Sequence, residues 1–106
     1  MKKDVKKFIR EHKHINYCEA IIDKNGLVEY AEPSHLMTLC KEYGKSKEEI
    51  DKEMSITASP LEWLVEKTGC VAIWWNYCVI PKSLNEVQKE VIKELIKSEI
   101  VGFDFE

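Results

Sequence analysis

The sequence predicts an α+β fold in which a small antiparallel or mixed sheet of three to four strands packs against four to five helices. Three observations predict it: an N-terminal hairpin signature, a long apolar segment typical of a central strand, and repeated helix-start signals. At 106 residues the chain is long enough for one hydrophobic core. We therefore expect residues 1–106 to form a single globular domain.

The hairpin is predicted from residues 15–31, where Asn25 and Gly26 stand between two apolar runs. A two-residue loop at Asn25-Gly26 would mix charged and apolar side chains on both faces. A three-residue loop instead pairs Asp23 with Leu27 and places Gly26 in the left-handed conformation. Because a one-residue slip would destroy the separation of the faces, we favour the three-residue loop. One face then holds Cys18, Ala20, Ile22, Val28 and Tyr30, and the other holds Glu19, Ile21, Asp23, Glu29 and Ala31.

One helix is predicted before this hairpin and one after it. Residues 4–14 carry apolar side chains at helical spacing, which indicates a first helix. A second helix should begin at Pro33, because proline suits the first helical position, and Gly44 should end it as a left-handed cap.

Three further helices are predicted from capping boxes, in which an N-cap hydroxyl precedes a glutamate by three residues. The pairs are Ser46 with Glu49, Ser59 with Glu62, and Ser83 with Glu86. The third pair opens the longest helix, which should start at Leu84 and cover the core with a wide apolar stripe.

Residues 70–80 are β-branched and aromatic, and Pro81 closes the segment, so residues 71–80 are predicted to form one long central strand. Both faces of that strand would be largely apolar. Such a strand is either covered on both sides, or covered on one side and used for recognition on the other. The hairpin would supply one neighbouring strand, and residues 100–105 would supply a short edge strand.

Residues 20–54 resemble the opening half of a PAS domain. The resemblance is carried by the strand that ends in Asp23, by Gly26, Val28, Tyr30, Leu36 and Leu39, and by the segments Ala31-Glu32-Pro33-Ser34 and Tyr43-Gly44-Lys45-Ser46-Lys47-Glu48-Glu49-Ile50. It implies a hairpin followed by short helices over about a third of the chain. A PAS domain would continue with three further strands in a meander, which the remaining sequence does not provide. We therefore attribute the resemblance to shared local structure and predict no cofactor.

The composition bears on partners and location. Arg10 is the only arginine against fifteen lysines, and the net charge is −3. Since reading guanine and clamping phosphate favour the planar fork of arginine, these values argue against nucleic-acid binding. No apolar run approaches the length of a membrane span, and the basic N-terminus leads into no signal region. We expect a cytoplasmic protein, and the lysine- and isoleucine-rich composition and small size suggest a bacterial or phage origin.

Four cysteines stand at positions 18, 40, 70 and 78. They form no CxxC pair, and no histidine pair has zinc-finger spacing. We therefore predict reduced thiols that bind no structural metal.

Aromatic side chains of the predicted central strand are the first candidates for binding. Trp74 and Trp75 are adjacent, so one of them must point away from whatever the other packs against. Together with Tyr77 they form either a recognition surface or part of the core.

Polar candidates lie near the hairpin. His35, in the first turn after Pro33, could act as a base or ligand, or could be an ordinary exposed histidine. The carboxylates of Glu19, Asp23 and Glu29 share a hairpin face and could bind a cation or a basic partner, or simply face solvent.

Three functions are compatible with these residues. The first is a non-catalytic binding or regulatory protein, such as an inhibitor or accessory factor, that recognises a protein partner or a second copy of itself. The second is a small-molecule binder with a pocket near His35, Trp74 and Tyr77. The third is a small enzyme that pairs Cys78 or Cys18 with His35. The sequence holds no catalytic motif, so we favour the first function.

Overall fold

The computed structural model describes residues 2–13, 19–54, 59–74 and 77–101, which form one four-stranded antiparallel sheet and five helices. The predicted α+β class is confirmed. The strand order is β2-β1-β3-β4. In chain order the elements are α1 (Val5–His12), β1 (Ala20–Ile22), β2 (Val28–Tyr30), α2 (Pro33–Glu42), α3 (Lys47–Met54), α4 (Ser59–Thr68), β3 (Val71–Trp74), β4 (Tyr77–Val79) and α5 (Glu86–Lys97).

The β1–β2 hairpin has the three-residue loop that the sequence predicts. The Asp23 N–H donates to the Leu27 carbonyl at 2.9 Å, and Gly26 has a φ of +82°. Ile22 lies opposite Val28, which is the register that separates the two faces. The part of the predicted first strand that includes Cys18 lies outside the described residues.

The prediction that residues 71–80 form one long central strand is wrong. They contain the two strands of a second hairpin. β3 and β4 pair antiparallel, with Trp74 opposite Tyr77 and Ile73 opposite Cys78. Only residues 75 and 76, which lie outside the described part, stand between the paired positions. The segment contains no glycine or proline, and Asn76 is its one residue typical of turns, so the reversal has almost no signal in the sequence.

The place beside β3 that was predicted for residues 100–105 is taken by β4. Ile100 and Val101 are buried in the core and belong to no strand. Residues 102–105 lie outside the described part of the chain.

The helix-start signals at Pro33, Ser46 and Ser59 are met to within one residue. α2 begins at Pro33, and Gly44 follows it with a φ of +104°. Ser46 caps α3, since its Oγ accepts the Glu49 N–H at 3.1 Å. α4 begins at Ser59 and is followed by Gly69 with a φ of +72°.

The third predicted capping box, Ser83 with Glu86, is wrong by two residues. Asn85 caps α5: its side chain accepts the Gln88 N–H at 2.8 Å, and the Gln88 side chain accepts the Asn85 N–H at 3.1 Å. Asn-x-x-Gln thus forms the same two bonds as Ser-x-x-Glu. α5 starts two residues later than Leu84, and Ser83 lies in the turn before it.

Helices cover both faces of the sheet. On one face α1 and α5 enclose the main core, whose buried residues are Phe8, Ala20, Ile22, Val28, Val71, Ile73, Val91, Ile92, Leu95, Ile100 and Val101. On the other face α2 and α4 pack on the sheet through Ile21, Ala31, Leu36 and Leu61. α3 packs against α2 and α4 through Cys40, Ile50 and Leu64. In the described part of the chain no helix combines the length and the apolar character needed to span a membrane.

Candidate functional site

The aromatic residues singled out in the sequence occupy different environments. Trp74, at the end of β3, is half-buried and packs beside Leu36 and Leu61; its buried indole Nε1 has no hydrogen-bond partner among the described residues. Tyr77, at the start of β4, is 62% exposed. Trp75 lies outside the described residues.

The surface around Tyr77 is a shallow groove between β4 and α4, with a volume of about 630 Å³. We call it the β4 groove. Its lining includes Glu62, Glu66, Tyr77, Val79, Ile80 and Lys82. Both glutamates are exposed, and the Glu66 carboxylate accepts the Lys82 N–H at 2.8 Å. Ile80 is 43% exposed, so apolar and acidic groups lie side by side at this surface.

The two edges of the sheet differ. At the β2 edge, the Lys3 N–H donates to the Val28 carbonyl at 2.8 Å, and the Val28 N–H donates to the Lys3 carbonyl at 2.7 Å. Among residues 2–13, 19–54, 59–74 and 77–101, no segment pairs with the outer side of β4. The N-terminal segment therefore pairs with part of the β2 edge and does not pair with β4.

The polar candidates are not gathered into one site. His35 is half-buried in the first turn of α2, where its N–H donates to the Glu32 carbonyl at 2.9 Å, and it does not line the β4 groove. Burial, and then the charge of Glu32, raises the pKa of the Glu19 carboxyl. Glu29 is half-buried on β2.

The sheet separates the cysteine and the histidine that were considered as a catalytic pair. Cys78 packs into the core enclosed by α1 and α5, whereas His35 belongs to α2 on the opposite face. Burial raises the pKa of the Cys78 thiol to about 12 and also raises that of Cys40. Such thiols stay protonated at neutral pH and are poor nucleophiles. Cys18 lies outside the described residues.

Within the described ranges, no group of three or more His, Cys, Asp or Glu side chains is placed to hold a metal ion. Cys40, Cys70 and Cys78 are free thiols. That the cysteines are reduced and bind no structural metal stays a prediction. Thiol titration would test the first part and elemental analysis the second.

A second cavity, which the sequence did not predict, opens between the sheet and helices α2 and α4. It is a cleft of about 360 Å³ at the end of the sheet that carries the β1–β2 turn, and we call it the hairpin cleft. Ile21 and Ala72, paired across β1 and β3, form its floor. Its walls and rim include Lys2, Asp23, Lys24, Leu64, Val65 and Cys70. None of His35, Trp74 and Tyr77 lines this cleft. The hypothesis of a pocket near those three residues stays a prediction.

Asp23 organises the rim of the hairpin cleft. Its Oδ1 accepts the N–H groups of Asn25 and Leu27 at 2.9 and 3.0 Å, and its Oδ2 lies 3.1 Å from the Lys2 ammonium. Burial of the carboxyl raises its pKa, but the hydrogen bonds and the Lys2 charge outweigh burial and hold the pKa below its ordinary value. The hydrogen bond and charge of Asp23 in turn raise the pKa of Lys2.

Lys24, also on the rim, has a different environment. Its side chain lies across Gly69, with Cε and Nζ where a Cβ at position 69 would meet them. Within the described part of the chain, no carboxylate forms an ion pair with Lys24. The Lys24 charge is therefore available at the rim.

Comparison of the chain with protein-family models, curated proteins and solved structures finds no match. The function is therefore argued from geometry alone: a small α+β domain whose described residues leave the outer side of β4 unpaired and form the β4 groove and the hairpin cleft.

Proposed function

We propose that this chain is a non-catalytic, cytoplasmic binding protein, a regulatory or accessory factor that recognises an extended segment of another protein along β4. The observation that carries the proposal is the outer edge of β4, with which no described segment pairs and where Tyr77 is 62% exposed. An unpaired edge presents backbone N–H and C=O groups to an added strand, a recurrent mode of peptide recognition. The cytoplasmic location and a bacterial or phage origin rest on composition alone.

Charge beside β4 favours a basic partner. Glu62 and Glu66 line the β4 groove next to the exposed side chains of Tyr77 and Ile80. Successive side chains of an added strand would point to opposite faces, so alternate residues would meet the groove. We therefore expect the bound segment to combine apolar residues with lysine or arginine.

The same charges disfavour a second copy of this chain as the occupant. A symmetric dimer formed through β4 would use the same surface patch on both copies. Each copy would bring the two carboxylates of Glu62 and Glu66 and the single ammonium of Lys82 to the joined groove. The interface would therefore carry excess negative charge, which costs binding energy. A different, basic protein fits the groove better.

Peptide selection tests the proposal, because random sequences sample extended segments of every composition. Random peptides displayed on phage would be selected on the full chain, and the dissociation constants of the best binders measured. Truncation of Tyr77 to alanine should weaken their binding by about 2 kcal/mol, or about thirtyfold, as loss of an aromatic anchor does. Glu62→Lys should weaken basic binders as well, because it reverses a charge at an exposed position.

Tyr43→Ala is the matched control, because Tyr43 is 52% exposed and lies at the end of α2, away from the β4 groove. It should leave the selected peptides bound as before. Peptides that bind Tyr77→Ala and Glu62→Lys as tightly as the unchanged protein would overturn the proposal. Winning sequences without lysine or arginine would refute the basic character of the partner.

A further inference from the structure

We propose that the hairpin cleft binds a small amphipathic anion, with a compact apolar body held between the sheet and α4 and one carboxylate held at Lys24. This site is separate from the β4 groove, and neither depends on the other.

The size and lining of the cleft suit a small ligand. Its volume of about 360 Å³ lies at the lower end of the range of about 300–1,000 Å³ that ligand sites occupy. Ala72 contributes only a methyl group to the floor and is almost fully buried, so the open volume lies over the rim side of the cleft. The buried side chains of Leu64 and Val65 form an apolar wall on α4. A short alkyl chain or a single aromatic ring fits such a space.

The charges at the rim determine which head group the ligand carries. Asp23 neutralises Lys2, and two backbone N–H groups occupy the same carboxylate. Glu29 lines the β2 side of the cleft and has an interaction of its own. Lys24 is the rim cation that forms no ion pair with any described residue. A carboxylate beside Lys24 would be attracted, whereas an ammonium group there would be repelled.

Gly69 helps to place this cation. A side chain at position 69 would collide with the Lys24 side chain, which lies directly over the glycine. The glycine thus lets Lys24 approach the end of α4 and the neighbouring Cys70 at the cleft. Lys24 is exposed, and its contact with Gly69 sets the path that its side chain follows to the rim.

Cys70 provides a built-in reporter of occupancy. It lines the cleft and is half-buried, whereas Cys78 packs on the opposite face of the sheet and Cys40 is fully buried. A ligand in the cleft would cover Cys70 and leave the surroundings of Cys78 unchanged.

The test measures how fast N-ethylmaleimide alkylates each cysteine of the folded full chain, resolved by peptide mass spectrometry. The anionic probes are octanoate and 3-phenylpropionate, which distinguish an aliphatic from an aromatic carboxylate. Octan-1-ol and octylamine are the matched probes that carry no negative charge. At least one carboxylate should slow the alkylation of Cys70 several-fold in a saturable manner. The slow alkylation expected of the buried Cys78 thiol should not change, and octylamine should give no protection.

Variants at Lys24 identify the head-group contact. Lys24→Gln should raise the dissociation constant of the protecting carboxylate by about three- to tenfold, as expected for a partly screened ion pair. Lys24→Glu should remove the protection. Lys47→Gln makes the same charge change at an exposed lysine of α3 outside the cleft and should have no effect.

Ala72→Leu tests the apolar part by filling the floor, and it should remove protection by every probe. Near-ultraviolet circular dichroism would check that this variant folds, and the surface variants at Lys24 decide the question if it does not. Any one of four results would overturn the proposal. Octylamine could protect as well as octanoate does, or octan-1-ol alone could protect. Protection could persist in Lys24→Glu, or neither carboxylate could protect.

Discussion

Asp23 stabilises the β1–β2 turn through its side chain. The carboxylate accepts the N–H groups of Asn25 and Leu27 and pairs with Lys2. These contacts outweigh burial and lower the pKa of Asp23, so the folded protein binds this proton less readily than the unfolded chain does. The stabilisation is therefore present above the ordinary pKa of 3.8 and is lost as the pH falls through the lower pKa of the folded state.

We predict that Asp23→Asn lowers the free energy of unfolding at neutral pH by about 1–2 kcal/mol, because hydrogen bonds to a charged acceptor are replaced by weaker ones. The difference from the unchanged protein should shrink as the pH falls below 3.8. Urea unfolding over a pH series measures it. Asp51→Asn, at an exposed position on α3, is the control. A difference of constant size throughout the acid range would contradict the assignment.

Gly26 combines two constraints in one residue. Its φ of +82° lies in the left-handed region, where a side chain is strained. A Cβ at position 26 would also lie 2.5 Å from Val87 Cγ1 and 3.3 Å from Val91 Cγ2. The turn therefore packs against α5 as well as reversing the chain.

Gly26→Ala should lower the free energy of unfolding by clearly more than the cost of about 1 kcal/mol for the left-handed backbone alone. In a Val87→Ala background the larger of the two steric contacts is removed, and the cost should fall towards about 1 kcal/mol. Gly44→Ala is the matched control, since φ is +104° there and no described atom lies within 4 Å of a Cβ. Equal losses at positions 26 and 44, measured by urea unfolding, would show that the contact with α5 has no energetic weight.

At the scale of elements, the start of α5 is fixed by contacts outside the helix. Gln88 is fully buried, and its Nε2 donates to the Gly69 carbonyl at 2.8 Å and to the Asp23 carbonyl at 3.2 Å. Asn85 donates from Nδ2 to the Lys24 carbonyl at 2.9 Å. The capping pair thus joins α5 to both the β1–β2 turn and the end of α4. A helix that began two residues earlier would use neither residue as its cap.

Asn85→Ala should lower the free energy of unfolding by about 1–2 kcal/mol, because the cap and the bond to the turn are lost together. Ser83→Ala should change it by less than about 0.5 kcal/mol, since Ser83 is exposed and lies before the helix. Thermal and urea unfolding of the two single variants compare them directly. Similar losses for both would restore Ser83 as a cap.

The elements that the sequence predicts well are those whose signals are local. Asp23 and Gly26 specify the first turn by their own conformations and hydrogen bonds, and Pro33 marks α2 in the same way. The β3–β4 reversal has no comparable signal, because an apolar strand and an apolar hairpin share one composition. The cleft above Ala72 depends on how α2 and α4 lie over the sheet, and the exposure of Tyr77 depends on which strand becomes the edge. Both are tertiary properties.

At the scale of the whole molecule, the sheet is two hairpins joined side by side. β1 pairs with β3, and Ile21 lies opposite Ala72, although α2, α3 and α4 all intervene along the chain. The two inner strands carry apolar side chains into the clusters on both faces. Their pairing therefore completes the core on both sides of the sheet at once.

The order of the strands also sets the order of events in folding. Each hairpin closes a short loop and can form early, whereas the pairing of β1 with β3 requires closure of a loop that contains three helices. That closure must occur before the contacts on either face can compensate for the lost chain entropy. We therefore expect the slow event to be the docking of the two hairpins rather than the formation of either one. The refolding rate should then depend on the non-local centre of the sheet and little on its outer strands.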